Sequence, residues 1–439
     1  GVDIMREAVE IAKLRLFLKL GSTVDPDPKQ ENYGIEPLPD IDFNIRSGNT
    51  LVGFATKTEV KGISAWSLDF DTAEQDRVEE KCEVVDKAFE RYKQIQLNEG
   101  EDYQTFREAK DELHKRLAAL RDELDVYPAK SYSITDLPKQ QKQFAAWKAS
   151  HMPFHWFAEY YGIVHQRGGF DVIIGNPPYV EYKPKALGYT VAAYDTLASG
   201  DLYAFCMERS TRVLSKKGLL GMIVPISIVS TDGFESLRKS MHSRFKSTYY
   251  SNYSMRPGKL FEGVEKRLTI ALGVGLGGSA QTSLWSTKYH VWGSEERDTL
   301  FQSLSYTVVD NGLFLKSSIP KIGSAVEGST MKKLFAGGRA IGTQTSKLGT
   351  HVLYHTRKLR YFLQFLSSPP RMVDEHGHEK ATSELKAIAF DKGESRDVAL
   401  AAFNSSLFFW YYIAYSDCRN VNKREVHAFP MELAQVEEA

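Results

Sequence analysis

The run Phe170-Asp171-Val172-Ile173-Ile174-Gly175-Asn176-Pro177-Pro178-Tyr179 holds the residues best suited to chemistry. A buried strand, Phe170 to Ile174, delivers a polar side chain to its carboxyl end, where open α/β sheets hold ligands. Two prolines then fix the backbone and remove two N–H donors, leaving carbonyl oxygens to point into a cavity. The corner offers the Asn176 amide oxygen, the Pro177 carbonyl oxygen, the rigidity of Pro178 and the ring face of Tyr179. That set suits methylation of an exocyclic amine on a planar base. The lone pair of such an amine is delocalised into its ring. Two acceptors gripping its hydrogens favour the pyramidal transition state and orient the lone pair. Stacking on Tyr179 holds the base at roughly 1 to 3 kcal/mol. A proline-stiffened turn is the plain alternative.

Other positions carry weaker signals. Gly1-Val2-Asp3-Ile4 reads as a short strand ending in an acid. From Arg6 the spacing turns helical, and Ala8, Val9, Ile11, Ala12, Leu14, Leu16, Phe17 and Leu18 cover most of a helix surface, as in a helix packed on a sheet. A strand-terminal acid before a helix is where doubly wound folds hold ribose hydroxyls, with a Gly-rich turn about 20 residues upstream. That turn falls before residue 1, so the chain is expected to open inside a β-α unit; Asp3 also suits a plain helix N-cap. Neither an initiator Met nor a signal-peptide pattern is present. His151, His155 and His165 lack a recognised ligand spacing, and no metal site is expected. The run Gly273 to Gly278 has fingerprint-like glycines, but Thr282 to Ser286 reads as a returning strand, which predicts a hairpin turn.

The elements that must position these residues follow from pattern. Asp25 to Pro39 is a turn-rich loop, and Ile41 to Phe54 alternates into a short strand ending at Gly48-Asn49. Asp69 to Asp125 predicts a helical hairpin with a solvated charged face, broken near Asn98-Glu99-Gly100 and ended by Pro128. The aromatic run Trp147 to Tyr161 is suited to dock that insertion. Strands at Leu219–Val224 and Leu268–Leu276 alternate with helices at Leu202–Leu214, which ends at Lys216-Lys217-Gly218, and Phe234–Phe245, predicting a mostly parallel sheet. From about residue 280 the regularity fades into short strands and loops.

At 439 residues the chain is long enough for two or three domains. Its hydrophobic content of 42% and charged content of 26% exclude wholesale disorder, collagen-like repeats and coiled-coil fibres. The longest apolar runs, such as Ala401 to Ala414, are interrupted by Asn404, Ser405 and Ser406 and fall short of the roughly 20 residues of a membrane helix. Cys82, Cys206 and Cys418 make no disulfide framework or zinc spacing, which points to a cytoplasmic setting. Lys and Arg number 56, as do Asp and Glu, so the net charge is zero. The balance is uneven along the chain. Between Glu327 and Asp374 there is no acid, while Lys332, Lys333, Arg339, Lys347, Arg357, Lys358, Arg360 and Arg371 alternate with Tyr354, Tyr361 and Phe362, a pattern suited to a polyanion.

Taken in order, these motifs resemble the gamma-class adenine-N6 DNA methyltransferases, nearest to the large methyltransferases of type IIG restriction-modification and related phage-defence systems. Gly1-Val2-Asp3-Ile4 resembles the second cofactor motif, which implies that Asp3 holds the ribose of S-adenosylmethionine with Ile4 beside it. Asn44 to Leu51 resembles the third and puts Asn49 near the cofactor's adenine. Asn176 to Tyr179 matches the catalytic motif. Asp201-Leu202-Tyr203 and Gly218 to Pro225 resemble later core elements, and Phe261-Glu262-Gly263-Val264 resembles the motif whose aromatic packs the flipped base. Asn404 to Tyr411 and Asn422 to Pro430 resemble the recognition region, where Phe408, Trp410 and Tyr411 read better as core than as base contacts. The first cofactor motif is absent from these residues.

The resemblance implies a Rossmann-like α/β methyltransferase core, incomplete at the N-terminus, with a helical insertion and a C-terminal α+β target-recognition domain. The expected divisions are 1–60 and 151–280 for the core, 61–150 for the insertion and 281–439 for recognition. Duplex DNA is the implied partner, through Arg339, Lys347, Arg357, Lys358 and Arg360, with a fused or separate endonuclease or specificity component outside the chain. Methylation of RNA or protein amines by the same corner, and a non-catalytic DNA-binding fragment, are the rival readings.

Overall fold

Two compact units make up the chain in the computed structural model, which describes residues 1–30, 33, 40–59, 72–97, 103–277, 282–359, 361–380 and 384–433. The first is Gly1–Ile173 with Val180–Gly218, the second Ile174–Tyr179 with Leu219–Ala439.

In the first unit, strand β1 (Val2–Asp3) pairs in parallel with β2 (Arg46–Ser47). The helix expected after Asp3 spans Arg6–Gly21, with Met5 rather than Asp3 at its N-cap. Its packing differs from expectation. Val9 is its buried residue, while Ile11, Leu14 and Leu18 are 58%, 58% and 60% exposed. The two-residue strands beside it offer little surface to pack on.

The expected helical hairpin is present as Thr72–Leu97 and Tyr103–Leu124, followed by a short helix Val126–Lys130 that contains Pro128. Asn98-Glu99-Gly100 lies outside the described residues. Helical spacing puts Val78, Cys82, Val85 and Tyr92 on one face and Leu113, Leu117, Leu120 and Leu124 on another, and the two faces share a buried cluster. Phe157 and Tyr161 of the aromatic run join that cluster and pack against the hairpin.

Beneath the cluster lies a buried ion network. Glu159, with a fully buried side chain, accepts from Arg46 Nη1 and from Arg121, whose Nη2 lies 2.7 Å away. Arg46 Nε also donates to the Phe43 carbonyl at 2.7 Å. His155 is equally buried and structural: its Nδ1 accepts the Phe54 N–H, and its Nε2 lies 3.0 Å from Asp125 Oδ1.

The larger sheet has the strand order β3-β4-β6-β5-β7-β8, with β3 Phe170–Gly175, β4 Leu214–Pro225, β5 Phe245–Tyr253, β6 Leu268–Gly275, β7 Ser283–His290 and β8 Thr307–Val308. Four expectations are corrected here. The sheet is mixed and not mostly parallel: β4–β6, β5–β6 and β7–β8 are antiparallel and β5–β7 is parallel. The turn after β6 makes no hairpin, because β7 lies beside β5 instead of β6; Gly278 itself is outside the described residues. Strand β3 is not buried. It is the terminal strand of the order, and Val172 and Ile174 are 56% and 81% exposed. Lys216-Lys217-Gly218 also belongs to β4, since the helix Leu202–Val213 passes straight into it.

The C-terminal part of the second unit is more regular than its sequence suggests. Strands β9 (His351–Thr356), β10 (Phe365–Leu366) and β11 (Leu385–Phe390) form a sheet of order β10-β9-β11. Helices cover Ala325–Ala336, Gly393–Phe403, Ser406–Tyr415 and Lys423–Ala428. Arg424 ties the last of these down through Asp232 at 2.6 Å and the Ser230 carbonyl at 2.6 Å. Buried Lys321 donates to the Ala414 and Ser416 carbonyls at 2.9 and 2.7 Å, satisfying acceptors at the end of a helix. No single helix among the described residues is long and apolar enough to cross a membrane.

Candidate active site

Strand β3 ends at Gly175, and a Cβ there would lie 3.0 Å from the Met222 sulfur on β4, so glycine permits the close approach. Asn176 follows at once and is exposed. Tyr179 is half-buried and oriented from two sides. Its hydroxyl donates to the Ile223 carbonyl on β4 at 2.8 Å. Lys266 Nζ donates to its main-chain carbonyl at 2.9 Å and sits 5.7 Å from the ring centroid. Burial pushes the Tyr179 phenol up to about 12, so the hydroxyl stays protonated near neutrality and works as an anchor. The ring is presented, and the polar end is held.

Lys266 belongs to the loop between β5 and β6 that also carries Phe261, which is half-buried. The structure thus links the Phe261 loop to the Asn176–Tyr179 corner through Lys266. Sequence reasoning passes over this lysine. The signal for it is its place between Phe261-Glu262-Gly263-Val264 and the start of β6.

The residues expected at a cofactor gather in the first unit. Parallel pairing of β1 with β2 sets Asp3 opposite Ser47, and the Gly48 N–H donates to the Asp3 carbonyl at 2.9 Å. Asp3 is exposed, and its Oδ1 accepts the Met5 N–H at 2.8 Å. Asn49 is 2% exposed; its N–H donates to the Met152 carbonyl at 2.7 Å, and its Oδ1 accepts the Leu51 N–H at 3.1 Å. Its Nδ2 is buried with no hydrogen-bond partner among the described residues. A buried donor left unpaired costs roughly 1 to 3 kcal/mol. Beside this turn lies a cleft of about 750 Å³ lined by Ile4, Ser47, Gly48, Pro153 and Phe154. A Cβ on Gly48 would sit 2.8 Å from the Phe154 ring, so glycine is what lets that ring approach.

The family profile of the Eco57I restriction-modification methylases matches residues 1–255, more than half of the chain. The chain belongs to the Eco57I restriction-modification methylase family. A Methanocaldococcus jannaschii protein named by inference as the type II restriction enzyme and methyltransferase RM.MjaORFECS2P is 28% identical over 276 residues, covering 56% of this chain and 23% of that protein. The Escherichia coli type II restriction enzyme and methyltransferase RM.Eco57I is 36% identical over 77 residues, covering 16% of this chain and 8% of its own length. The chain therefore spans less than a quarter of either relative. Among solved structures, a nuclease-deletion mutant of the Type ISP restriction-modification enzyme LlaGI with a DNA substrate mimic aligns at a TM-score of 0.31 and 14% identity, over 46% of this chain and 22% of that one.

In this Eco57I-family chain the basic stretch divides by partner. Arg339 is held by Glu432 through two bonds of 2.7 and 2.8 Å, and Lys332 and Arg371 pair with Asp310 and Glu379. Lys347, Arg357 and Lys358 are exposed and have no carboxylate partner among the described residues. Arg360 lies outside the described residues. Phe408 and Tyr411 are fully buried, as expected of core, and Trp410 Nε1 donates to Glu327 at 3.1 Å.

Proposed function

We propose that the chain is the catalytic and recognition portion of a site-specific DNA adenine-N6 methyltransferase that uses S-adenosylmethionine, in a restriction-modification or phage-defence setting. The observation that carries this reading is the corner after β3, where Asn176 stands exposed beside a tyrosine ring fixed by Ile223 and Lys266. Family membership and the relatives named as restriction enzymes and methyltransferases support the reaction class.

In this reading an adenine leaves the duplex at a cost of a few kcal/mol. Asn176 Oδ1 and the Pro177 carbonyl accept its two N6 hydrogens, while Pro178 keeps the turn rigid. The grip favours the transition state over the planar ground state, so it acts on the rate. Tyr179 stacks on the base and Phe261 packs it. S-adenosylmethionine, when bound, supplies the electrophilic methyl group. The residues proposed to hold it are Asp3 for the ribose hydroxyls, Ile4 as an apolar wall of the cleft, and Asn49 near the adenine, its buried Nδ2 having no hydrogen-bond partner among the described residues. No protein nucleophile is required. Burial pushes the Cys206 thiol up to about 12, which suits a core residue. Residues 1–60 and 151–280 are the proposed core, 61–150 the insertion and 281–439 the recognition region. The proposed partners are duplex DNA and a fused or separate endonuclease or specificity component.

Incorporation of labelled methyl groups into duplex DNA, RNA and protein, compared side by side, tests the reading. Label at adenine N6 of DNA supports it; label confined to RNA or to protein amines favours the rival substrate. Calorimetry showing DNA binding without cofactor binding favours a non-catalytic DNA module.

Two further outcomes are expected. Lys266→Ala should slow transfer about tenfold by removing a charge-assisted bond worth roughly 1.5 to 3 kcal/mol at most, and Lys266→Arg should restore most of the rate. Because Lys266 touches Tyr179 and not the base, it is a positioning residue. Replacing Arg357 and Lys358 together by alanine should weaken DNA binding and flatten its log-log salt slope by about 0.9 for each phosphate no longer neutralised. An unchanged slope places the DNA surface elsewhere.

A further inference from the structure

Tyr361 is 97% exposed, a large aromatic ring held almost entirely in water. It sits in the connection from β9 to β10, and that connection is fastened on both sides. On one side the Arg357 N–H donates to the Glu384 carbonyl at 2.9 Å, and the Arg357 carbonyl accepts the Val421 N–H at 2.8 Å. The Leu359 N–H donates to the Arg419 carbonyl at 2.9 Å. On the other side the Phe362 ring stacks on Phe409 with centroids 4.4 Å apart, Leu363 is 3% exposed, and Asn404 bonds both the N–H and the carbonyl of Phe365 at 3.1 and 3.0 Å. Tyr361 stands between an anchored strand end and buried Leu363, while Phe362 packs on Phe409 and is itself 45% exposed. The exposed cations Arg357 and Lys358 stand a few residues before it.

An exposed aromatic ring a few residues after two cations with no carboxylate partner among the described residues has the chemistry of a nucleic-acid wedge. Cations hold phosphates, and an apolar or aromatic side chain enters between bases. We propose that Tyr361 stacks on a nucleobase of bound duplex DNA while Arg357 and Lys358 hold nearby phosphates. This rests on the DNA-binding reading of the second unit and adds to it the residue that touches a base. Stacking differs from phosphate binding in its salt dependence. It changes affinity without releasing counterions, so it leaves the salt slope alone.

The test uses the full chain and a duplex pool of randomised sequence in which iodouracil replaces thymine. After binding and irradiation, crosslinked peptides are mapped. The expected result is a crosslink at Tyr361 together with a loss of affinity of about tenfold in Tyr361→Ala, an unchanged salt slope, and near-parental binding by Tyr361→Phe. Arg357→Ala should lower the slope and keep the crosslink. Crosslinks confined to other residues, with Tyr361→Ala binding like the parent, overturn the proposal and leave the DNA reading standing. A fall in slope for Tyr361→Ala also overturns it, since the residue then acts by placing the cations. Failure of the parent chain to bind the pool sinks the DNA reading itself, and is seen before any variant is made.

Discussion

Replacing Asn176 by alanine is expected to lower methyl transfer to adenine by about 10²- to 10³-fold or more, with affinity for duplex DNA within about twofold of the parent. The physical reason is differential binding. A planar aromatic amine is bound adequately by stacking on Tyr179, so the ground state loses little when the amide oxygen goes. The transition state loses one of its two acceptors at the moment the nitrogen pyramidalises, when those bonds are strongest. Asn176 is exposed and follows the end of an edge strand, so alanine leaves no buried cavity and the fold stays intact. Asn176→Asp, which keeps an acceptor oxygen in place, should retain more activity than alanine. Single-turnover transfer of labelled methyl groups measures the effect, and an alanine variant with most of the parental rate would remove Asn176 from the mechanism.

The second large effect is on stability. Glu159→Ala should reduce the free energy of unfolding by about 3 to 5 kcal/mol, because it leaves a buried guanidinium without its counter-charge. Arg46 is 6% exposed and is held by the Phe43 carbonyl and over the Tyr160 ring, 4.7 Å from its centroid, so it cannot readily swing into water. Burial opposes ionisation of Glu159, but hydrogen bonds from Arg121 and the charges of Arg46 and Arg121 outweigh it and hold the carboxyl below the ordinary glutamate range. The sign of the pH effect follows. In the window between the folded and unfolded values the unfolded chain binds more protons, so stability rises with pH there. The stabilisation is complete above the ordinary glutamate pKa of about 4.3 and is lost as pH falls through the folded value. Urea melts at about pH 7 and about pH 3 should show the parent losing more stability on acidification than Glu159→Gln. Equal losses would show that this carboxylate is not the titrating anchor.

Much of the candidate site is legible in the sequence because its constraints are local. Two prolines after a strand define a corner whatever surrounds it, and Asn176 does stand at the end of β3. The acid at Asp3 and the Gly48-Asn49 turn also meet, since β1 and β2 pair in parallel. What stays hidden depends on partners distant in sequence. The apolar runs mark β4 and β6 as strands but say nothing of direction, and β5 is not marked at all, so the sheet's mixed pairing cannot be read from the sequence. The apolar residues of β3 suit burial, yet whether a neighbouring strand covers Val172 and Ile174 is a tertiary fact. Lys266 is hidden for the same reason. Its acceptor, the Tyr179 carbonyl, is 87 residues away. One local signal is present and easily misread. Asn404-Ser405-Ser406 looks like an interruption of an apolar run, but Ser405 is an N-cap whose hydroxyl accepts the Phe408 N–H at 3.2 Å, so the break starts a second helix.

The exposed edge of β3 also governs how this chain behaves as a solute. Val172 and Ile174 point from a terminal strand into water, and Leu219, Leu272 and Val274 of the adjoining strands are 45%, 39% and 37% exposed. An uncovered apolar strand edge is a template for pairing with another chain. With a net charge of zero there is no long-range repulsion to keep molecules apart. The β3 edge is therefore one apolar surface through which copies can meet, and Ile174→Lys should blunt it while giving every molecule the same charge.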